Sequence, residues 1–584
     1  MVSNDVMKRK EERKEKYGYT YSSYNKEVLN TNAQSTEIGK TIASDKFPNT
    51  MDSFWFFLSE YVLINPFDFV TVENFKSTKT IGIVKELQAI EDHDNYLFKH
   101  SITDSLPAKV TNIKSQLRDK TEGLTLAKVA VMANTGIKSG LRKGRISMGM
   151  PVGIGKPVKF AAANEVMFAL GIPDMSNPIP AGIIDMTNSL QVPIFLDISY
   201  LAGPDTAHIN ASGISGNLKT SYLLFLLQSV YQKLGNKEEE EVAIIIFNTK
   251  EEDLLHIDKK QSRVDEWNKK LFDILKLDAK YFDNVTYFLP RGRDGRPNSI
   301  HVPMHSKTYS YELQDVYDRL ELLFSEVYDP QYNLSSILNY IYEFWPIKNS
   351  TGKKVVTWTD LFKFNDYPSQ IIMHKSSLLH FQGHLQRFRK SPMFIDRKVT
   401  STYLGNEIKN IKGGDVFVID IAMISTLEEQ AFVVGDAMKS IDEMYSSRFD
   451  LSNSLKKKKP KYILILIDEI NRFIPKLHPA VGRMTAVAEQ IMKTAIAGRS
   501  RGTVLFSAQQ FKSTVDYVFH QNVGMHVTAK LGSSELSTSP YDMIDVSTKM
   551  SIVTLNKGEL ILIHPAFRHP IKIVFPMSAS FKNS

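Results

Sequence analysis

Cysteine is absent from this chain of 584 residues. Its absence excludes a disulfide scaffold, a cysteine nucleophile and a zinc site built on thiolates. Long apolar runs are also lacking, because the longest ones, such as 462–467 and 560–563, fall far short of the roughly 20 residues that cross a bilayer. The N-terminus carries mixed charges without an apolar stretch behind them, so we do not expect it to act as a secretory signal. We therefore expect a cytoplasmic protein with no membrane partner.

The composition is that of an ordinary globular protein, with 42% hydrophobic and 23% charged residues. A chain of this length is expected to fold as about two to four structural units. The formal net charge of +8 fits a nucleic-acid partner, although the same excess can be scattered over solvated faces.

The rhythm of apolar segments divides the chain into parts. Residues 1–62 are polar and lysine-rich near the N-terminus and predict an arm that orders against a partner. Short β-rich segments cut by Gly and Pro predict a small β-barrel over 63–188. Continuously apolar strands alternating with helices predict an α/β core with a parallel sheet over 189–253 and 398–584, the latter including a C-terminal extension. Aromatic-rich helical stretches predict a helical insertion over 254–397.

A phosphate-binding loop is predicted at HINASGISGNLKTSYLL, where a short strand leads through glycines into an apolar helix. Glycines let the backbone curl so that successive N–H groups point at phosphate oxygens, and the helix N-terminus adds its positive dipole end. Lys219 is expected to reach the β- and γ-phosphates, and the Thr220 hydroxyl to bind magnesium. The alternative is a glycine-containing turn before a core helix. The candidate nucleotide-binding residues are Gly213, Ile214, Ser215, Gly216, Asn217, Leu218, Lys219, Thr220 and Ser221.

A pair of acidic residues completes the predicted site. In KYILILIDEINRF a buried strand delivers Asp468 and Glu469 to its carboxyl end, where ligands of open α/β sheets bind. Asp468 is expected to hold Mg²⁺ and Glu469 to polarise the attacking water. The alternative is a helix N-cap before Ile470. Together with the loop, the pair predicts ATP and Mg²⁺ as substrate and cofactor.

Further candidates follow in AIAGRSRGTVLFSAQQ. Arg499 and Arg501 come at the end of a helix, and in a ring of subunits such an arginine stabilises charge in the neighbour's site. For each of them a surface salt bridge is the alternative role. Gln509 ends the next strand, where a polar side chain can sense the γ-phosphate. The basic loop PRGRDGRP, with Arg291, Arg293 and Arg296, is a candidate contact to DNA phosphates, or a solvated turn.

The chain resembles the HerA family of ring translocases, which is related to the FtsK branch of P-loop ATPases. The resemblance is carried by strings that occur in the family order: TIGIVKEL, GISGNLKTSYLLFLL, IIIFNTKEEDLLHID, GGDVFVIDIA, LILIDEINRF, GRSRGTVLFSAQQ and KGELILIHPAFRHPIKIVFP. It implies a RecA-like core and an N-terminal β-barrel that helps to hold a homohexamer together. It also implies ATP bound between subunits and double-stranded DNA threaded through a basic channel.

Two positions depart from the family pattern. Leu218 stands where the loop usually ends in glycine, and Asn248 stands where the recombination members often carry aspartate. The second departure resembles the HerA-like ATPases of bacterial antiviral systems, in which the ring carries a separate effector, a nuclease or a sirtuin-like NAD hydrolase. The resemblance thus implies an ATP-driven DNA translocase of the helicase type, working with an effector bound near the barrel. The alternative is a nucleotide-gated ring scaffold that activates the effector with little or no translocation.

Overall fold

The computed structural model describes residues 36–90, 124–135, 150–203, 207–216, 218–235, 241–252, 254–259, 265–324, 327, 333–367, 375–446, 459–476 and 484–577. Residues 1–35 of the predicted arm and Asn217 of the predicted loop lie outside this part of the chain.

The strands, in chain order, are β1 (Glu37–Ile42), β2 (Ser53–Leu58), β3 (Phe69–Glu73), β4 (Lys79–Ile90), β5 (Leu124–Asn134), β6 (Pro157–Phe160), β7 (Pro178–Asp185), β8 (Gln191–Asp197), β9 (Ile209–Ser212), β10 (Val242–Asn248), β11 (Val285–Pro290), β12 (Ser306–Tyr309), β13 (Val416–Asp420), β14 (Tyr462–Ile467), β15 (Thr503–Gln509), β16 (Met525–Thr528), β17 (Glu559–Ile563) and β18 (Ile571–Val574).

The α-helices are α1 (Ala163–Ala169), α2 (Ile198–Ala202), α3 (Lys219–Leu234), α4 (Glu266–Leu275), α5 (Leu313–Val316), α6 (Asn333–Glu343), α7 (Trp358–Phe362), α8 (Lys375–Leu385), α9 (Leu404–Lys409), α10 (Leu427–Ser446), α11 (Ala486–Arg501), α12 (Tyr517–Gln521), α13 (Ser533–Leu536) and α14 (Val546–Thr554). Short 3₁₀ helices occur at Phe75–Ser77, Ile172–Asp174, Tyr317–Phe324, Gln386–Phe388, Ile470–Arg472, Lys512–Thr514 and Ser539–Tyr541. Among the described residues, no helix combines the length and the apolar character that crossing a membrane requires.

The chain divides into two compact units. The first comprises residues 1–198, 527–536 and 541–575. The second comprises 199–526, 537–540 and 576–584.

A closed antiparallel barrel lies in the first unit, with the strand order β1-β2-β5-β4-β3-β6 and with β6 pairing back onto β1. Its interior is filled by aromatic and β-branched side chains such as Phe54, Phe56 and Val129, which suit a pleated, half-buried surface. Gly39 lies where β1 and β2 approach so closely that a Cβ atom would collide with the carbonyl oxygen of Phe57. Glycine at this position therefore permits closure of the barrel.

The barrel begins at Glu37, whereas the sequence pattern predicted an arm through residue 62 and a barrel from 63. Two strands thus lie in the range assigned to the arm. β1 reads EIGKTI, in which small and polar residues weaken the apolar alternation, and β2 reads SFWFFL, which is continuously apolar. Neither shows the period-two pattern from which strands are recognised.

The predicted α/β core also begins later than residue 189. The string VPIFLD forms β8, which pairs antiparallel with β7 in the first unit instead of opening a parallel sheet. The C-terminal strands β17 and β18 pair antiparallel with each other, and β18 pairs with β7. Apolar strands of this kind look the same in both sheet types, because their periodicity reports burial and not direction.

The second unit contains a parallel sheet in which the strands follow the order β12-β11-β13-β10-β14-β15-β9. Every residue of β10, β13 and β14 is buried, as expected for strands of a parallel sheet covered on both faces. Parallel strands place their carboxyl ends along one edge, and that edge positions the candidate site.

The range 254–397, predicted as a helical insertion, also contributes two strands to this sheet. β11 and β12 pair parallel with each other, and β11 pairs with β13. The helices α5 to α8 of the same range share one apolar core with the sheet, in which Trp358, Phe381 and Tyr311 are buried. Short strands between helical stretches carry too few residues to show a period of their own.

Candidate functional site

The carboxyl ends of β9, β15, β14 and β10 lie side by side in the second unit. β15 lies between β9, which leads into the predicted loop, and β14, which ends at Ile467 just before Asp468. β10 is the other neighbour of β14. Residues that follow these strands are far apart in sequence but meet at one edge of the sheet.

The loop after β9 uses a backbone conformation that favours glycine at three positions. Gly213 has φ 152°, Gly216 has φ 81° and Leu218 has φ 59° with ψ 25°. The left-handed conformation costs a residue with a Cβ atom about 1–2 kcal/mol relative to the right-handed one. Leu218, the residue that replaces the expected glycine, therefore keeps the backbone conformation that glycine would adopt most easily.

Lys219 begins helix α3 and turns its side chain back over the loop. Its Nζ donates a hydrogen bond of 3.1 Å to the carbonyl oxygen of Ile214. Burial lowers the pKa of Lys219, and the negative charge of Asp468 opposes that shift. The ammonium thus lies in a partly desolvated place at a helix N-terminus, where an anion is stabilised by both the charge and the helix dipole.

Thr220 and Asp468 are in direct contact. The Thr220 hydroxyl donates a hydrogen bond of 3.0 Å to Asp468 Oδ2, and the side chain of Asp468 is 8% exposed. Both groups offer hard oxygen ligands, the type that Mg²⁺ prefers. The donor set fits a magnesium ion, which these two residues would hold and which would neutralise charge on phosphates.

Glu469 follows Asp468 at a sharp bend of the chain, with φ 53°. Both of its carboxylate oxygens are engaged by cations: Oε1 lies 2.6 Å from Lys250 Nζ, and Oε2 lies 2.6 Å from Arg472 Nη2. A non-glycine residue in this conformation is held there only by its surroundings, and such strain clusters at functional sites.

Gln509 is fully buried and forms a reciprocal amide pair with Asn210 on β9. Asn210 Nδ2 donates to Gln509 Oε1 at 2.7 Å, and Gln509 Nε2 donates to Asn210 Oδ1 at 2.7 Å. The pair ties the end of β15 to the strand that carries the loop, so a displacement of either strand end is transmitted to the other.

These side chains surround a cavity of about 230 Å³. It is lined by Ser215, Gly216, Leu218, Lys219, Thr220, Ser221, Lys250, Asp468, Glu469, Gln509 and Gln510. The cavity brings together the two halves of the predicted site, which are about 250 residues apart in the chain. Gly213 and Ile214 support the loop through their backbone, as Gly213 N–H donates to the carbonyl oxygen of Gln510 at 3.2 Å.

Lys250 and Gln510 also line the cavity, and neither was predicted from the sequence as a site residue. Lys250 comes two residues after the end of β10, at the same edge of the sheet as Asp468. The feature of the sequence that could have identified Lys250 was its position just after a buried strand. The order of strands in the sheet, which makes β10 the neighbour of β14, is not visible in the sequence.

The two predicted arginines do not line this cavity. Both lie at the end of α11, where Gly502 caps the helix with φ 75°. Arg501 forms an ion pair with Asp442, which also lies 2.6 Å from Lys493. Arg499 is exposed. Within its own chain, Arg501 thus has a structural partner, whereas Arg499 presents its guanidinium to the surface.

A second polar cluster lies near the cavity-lining segment after β10. Glu252, His256 and His301 each offer one ligand atom, all within 4.8 Å of one another. The ammonium of Lys259 donates to His256 Nδ1 at 3.3 Å and to His301 Nε2 at 3.2 Å. The lysine therefore already uses the lone pairs that a metal ion would require, and we assign no metal to this cluster.

Comparison with known proteins gives no family. No protein-family model and no curated protein matches the chain. Among solved structures, the bacterial conjugative coupling protein TrwBdeltaN70 aligns with TM-score 0.37 and 11% identity, over 65% of this chain and 88% of that chain. The genome packaging NTPase B204 from Sulfolobus turreted icosahedral virus 2, in complex with ATP-gammaS, aligns with TM-score 0.22 and 9% identity, over 30% of this chain and 74% of that chain. Likeness at this level assigns neither a family nor an activity.

Proposed function

We propose that the chain is a magnesium-dependent P-loop ATPase with a RecA-like core. One observation carries the proposal: a single cavity is lined by a glycine-containing loop, by Lys219 and Thr220 at a helix N-terminus, and by Asp468 and Glu469 at a strand end. A cation, a helix N-terminus and a magnesium-binding pair around one cavity suit a phosphate tail, and an adjacent carboxylate suits the activation of water.

The reaction follows from these positions. Lys219 binds the β- and γ-phosphates, and Thr220 and Asp468 would hold a magnesium ion, which supplies positive charge beside the phosphates. Glu469 takes a proton from the attacking water while the water oxygen bonds to the γ-phosphorus. The bond between that phosphorus and the oxygen bridging it to the β-phosphate breaks, which releases ADP and inorganic phosphate. Because transition-state charge develops on the γ-phosphoryl group, fixed cations at this position lower the barrier.

We further propose that this activity drives a homohexamer of the HerA type that moves double-stranded DNA. The exposed Arg499 suits a contact to the site of a neighbouring subunit. The loop after β11 carries Arg293, which is exposed, and Arg296, whose side chain is 86% exposed; solvated arginines of this kind bind DNA phosphates without reading sequence. In an antiviral setting, the ring is proposed to carry a separate effector near the barrel, either a nuclease or a sirtuin-like NAD hydrolase.

A second candidate function is a nucleotide-gated scaffold that turns over slowly. The observation in its favour is the double ion pair of Glu469, in which both oxygens are held by cations at 2.6 Å. A carboxylate held in this way is a poor acceptor for a proton from water. The two candidates share nucleotide binding and differ in whether hydrolysis is needed for the biological effect.

Phosphate release by the purified full chain, with and without duplex DNA, separates the two candidates. The matched variants are Lys219→Ala and Lys233→Ala, which remove lysines from opposite ends of helix α3. We expect DNA to stimulate turnover. Of the two variants, we expect only Lys219→Ala to abolish turnover. Mass measurement of the same sample with nucleotide is expected to give six subunits.

Two results count against the motor. Nucleotide binding without turnover, with or without DNA, would leave the scaffold as the function. Equal turnover of Lys219→Ala and Lys233→Ala would place the activity outside the cavity and overturn both candidates.

For the DNA contact, Arg293→Gln with Arg296→Gln is expected to lower DNA affinity and to flatten its dependence on salt concentration.

A further inference from the structure

The position of Lys250 beside Glu469 points to a role that the sequence pattern did not assign. Lys250 Nζ lies 2.6 Å from Glu469 Oε1, and Lys250 also lines the cavity. The other oxygen of Glu469 is held by Arg472, which is not among the cavity-lining residues. A carboxylate that accepts a proton from water needs one oxygen available to that water, so one of these ion pairs must open.

Lys250 is the partner better placed to leave. Its side chain is 41% exposed, and a long lysine stem with an ammonium at its tip changes rotamer easily. Arg472 lies three residues after Glu469, in the 3₁₀ turn that Glu469 begins, so its pairing is local to that turn. The ion pair of Lys250, in contrast, joins the ends of two different strands.

The backbone around Lys250 is fixed while its side chain is exposed. Asn248 is buried at the end of β10, and its Nδ2 donates to the carbonyl oxygen of Glu251 at 2.7 Å and to Asp420 Oδ1 at 2.9 Å. The first of these bonds spans Lys250 in the sequence, and the second ties the end of β10 to the end of β13. Movement of the Lys250 ammonium therefore requires rotation of the side chain and no rearrangement of the loop.

The charges around the cavity indicate where the ammonium would go. Lys219 and Lys250 are both cations of the cavity wall, and the charge of Lys250 adds to the lowering of the Lys219 pKa. If Glu469 activates the water that attacks in line, it stands on the side of the γ-phosphate away from the β-phosphate. A cation in contact with Glu469 is then next to the γ-phosphate and distant from the two other phosphates.

We propose that Lys250 distinguishes a nucleoside triphosphate from a diphosphate by transferring its ammonium from Glu469 Oε1 to the γ-phosphate. This inference rests on the proposed ATPase function. The transfer frees Glu469 Oε1 for water only when a γ-phosphate is present. After phosphate leaves, the ammonium returns to Glu469. Lys250 is thus a binding residue for the triphosphate and a positioning residue for the base.

Substitutions of Lys250 and Glu469, singly and together, form a thermodynamic cycle for triphosphate affinity. Binding of a triphosphate breaks the ion pair in the wild type, so weakening that pair by Glu469→Gln raises the affinity for triphosphate. Lys250→Met removes the contact to the γ-phosphate and lowers the affinity. In the double variant, Glu469→Gln no longer raises the affinity for triphosphate, because this substitution acts only by releasing Lys250. The diphosphate makes no such contact, and its affinity does not change.

Calorimetric titration of the full chain with Mg²⁺-ATPγS and Mg²⁺-ADP tests the cycle. Lys250→Met is expected to lower ATPγS affinity by roughly 10- to 100-fold and to change ADP affinity by less than about twofold, as for loss of one hydrogen bond to a charged group. Lys250→Arg is expected to restore most of the preference for ATPγS. Lys233→Met is the matched control, since it removes a lysine from the far end of α3, outside the cavity lining, and its preference for ATPγS over ADP is expected to match the wild type.

Three outcomes would overturn the inference. Equal loss of ATPγS and ADP affinity in Lys250→Met means that the lysine serves the site as a whole, and no loss of either means that it touches no phosphate. A gain from Glu469→Gln that persists in the double variant means that the two residues act independently. All three leave the proposed ATPase function standing, whereas failure of the wild type to bind either nucleotide overturns both.

Discussion

The hydroxyl of Thr220 donates a hydrogen bond of 3.0 Å to Asp468 Oδ2, although the two residues are 248 positions apart. Thr220 lies in the first turn of α3, and Asp468 follows β14. The bond joins the two motifs that the sequence offered separately. It places both proposed magnesium ligands in the lining of one cavity.

Replacement of Thr220 by valine tests the magnesium site. Thr220→Val keeps the shape of the side chain and removes its hydroxyl, so the half-saturating Mg²⁺ concentration for ATP hydrolysis is expected to rise by roughly tenfold or more. Thr220→Ser keeps the hydroxyl and is expected to stay close to the wild type. An identical Mg²⁺ dependence of the valine and serine variants would contradict the assignment of Thr220 as a ligand.

The conformation of Leu218 gives a prediction for stability. Leu218→Ala and Leu218→Gly lose the same partly buried side chain, but only glycine relieves the left-handed backbone at φ 59°. We expect the glycine variant to have the larger free energy of unfolding, by about 1 kcal/mol. Urea unfolding of both variants measures the difference. Greater stability of the alanine variant would mean that the loop does not adopt this conformation in solution.

The residues of the candidate site could be predicted from the sequence better than the way in which they are arranged in space. The loop, Lys219 and the acidic pair each follow a continuously buried strand, and that local pattern is readable from one segment. Lys250 was missed because its role depends on the pairing of β10 with β14, which is set by the whole sheet. The different surroundings of Arg499 and Arg501 could not be predicted from the sequence either, because Asp442, the ion-pair partner of Arg501, belongs to another helix.

The limits of the units were the least predictable feature. Apolar strands such as β8 were assigned to the parallel core, but β8 pairs antiparallel with β7. Burial on both faces gives the same continuous apolar pattern in either case. The barrel strands β1 and β2 were missed because neither alternates between apolar and polar residues. The strand with which each of these strands pairs, and not its own composition, decides whether it belongs to the barrel, to the parallel sheet or to an antiparallel pair.

Arg499 and Arg501 are expected to respond differently to substitution by glutamine. Arg499 is exposed, so Arg499→Gln is expected to leave stability unchanged and to lower turnover by about a thousandfold if it acts on a neighbour. Arg501 pairs with Asp442, so Arg501→Gln is expected to lower the free energy of unfolding by at most about 1 kcal/mol. Phosphate release and thermal unfolding of both variants check the difference.

A mixture of two variants provides the control for the proposed action of Arg499 between subunits. Subunits with Lys219→Ala lack a working site but still present Arg499, whereas Arg499→Gln subunits have the reverse defect. A mixture of the two is expected to hydrolyse ATP faster than either alone. Turnover that merely equals the average of the separate samples would show that Arg499 does not act between subunits.

Burial of His208 predicts a loss of stability in acid. Burial lowers the pKa of His208 from 6.5 to about 4, and its Nδ1 accepts a hydrogen bond of 3.0 Å from the Leu505 N–H. Between these values the unfolded chain binds a proton that the folded chain does not. The stabilisation is therefore present above pH 6.5 and is lost as the pH falls toward 4, up to about 3 kcal/mol.

Other buried histidines act in the same direction, so the contribution of His208 is measured by difference. His208→Asn retains a hydrogen-bond acceptor and tolerates the left-handed φ of 70° at this position. Its unfolding free energy is expected to fall less steeply between pH 6.5 and 4 than that of the wild type, whereas His305→Asn, at an exposed histidine, is expected to keep the wild-type slope. Parallel slopes for all three proteins would exclude the effect of His208.

The proposed hydrolysis of ATP with Glu469 as the base is tested by measuring nucleotide binding and phosphate release on one preparation of Glu469→Gln beside the wild type. Glutamine keeps the size of the side chain and cannot accept the proton from water. We expect the variant still to bind Mg²⁺-ATPγS, while its phosphate release falls by at least about 100-fold. Turnover that persists in this variant, with binding intact, would contradict the assignment of Glu469 as the base that activates water for ATP hydrolysis.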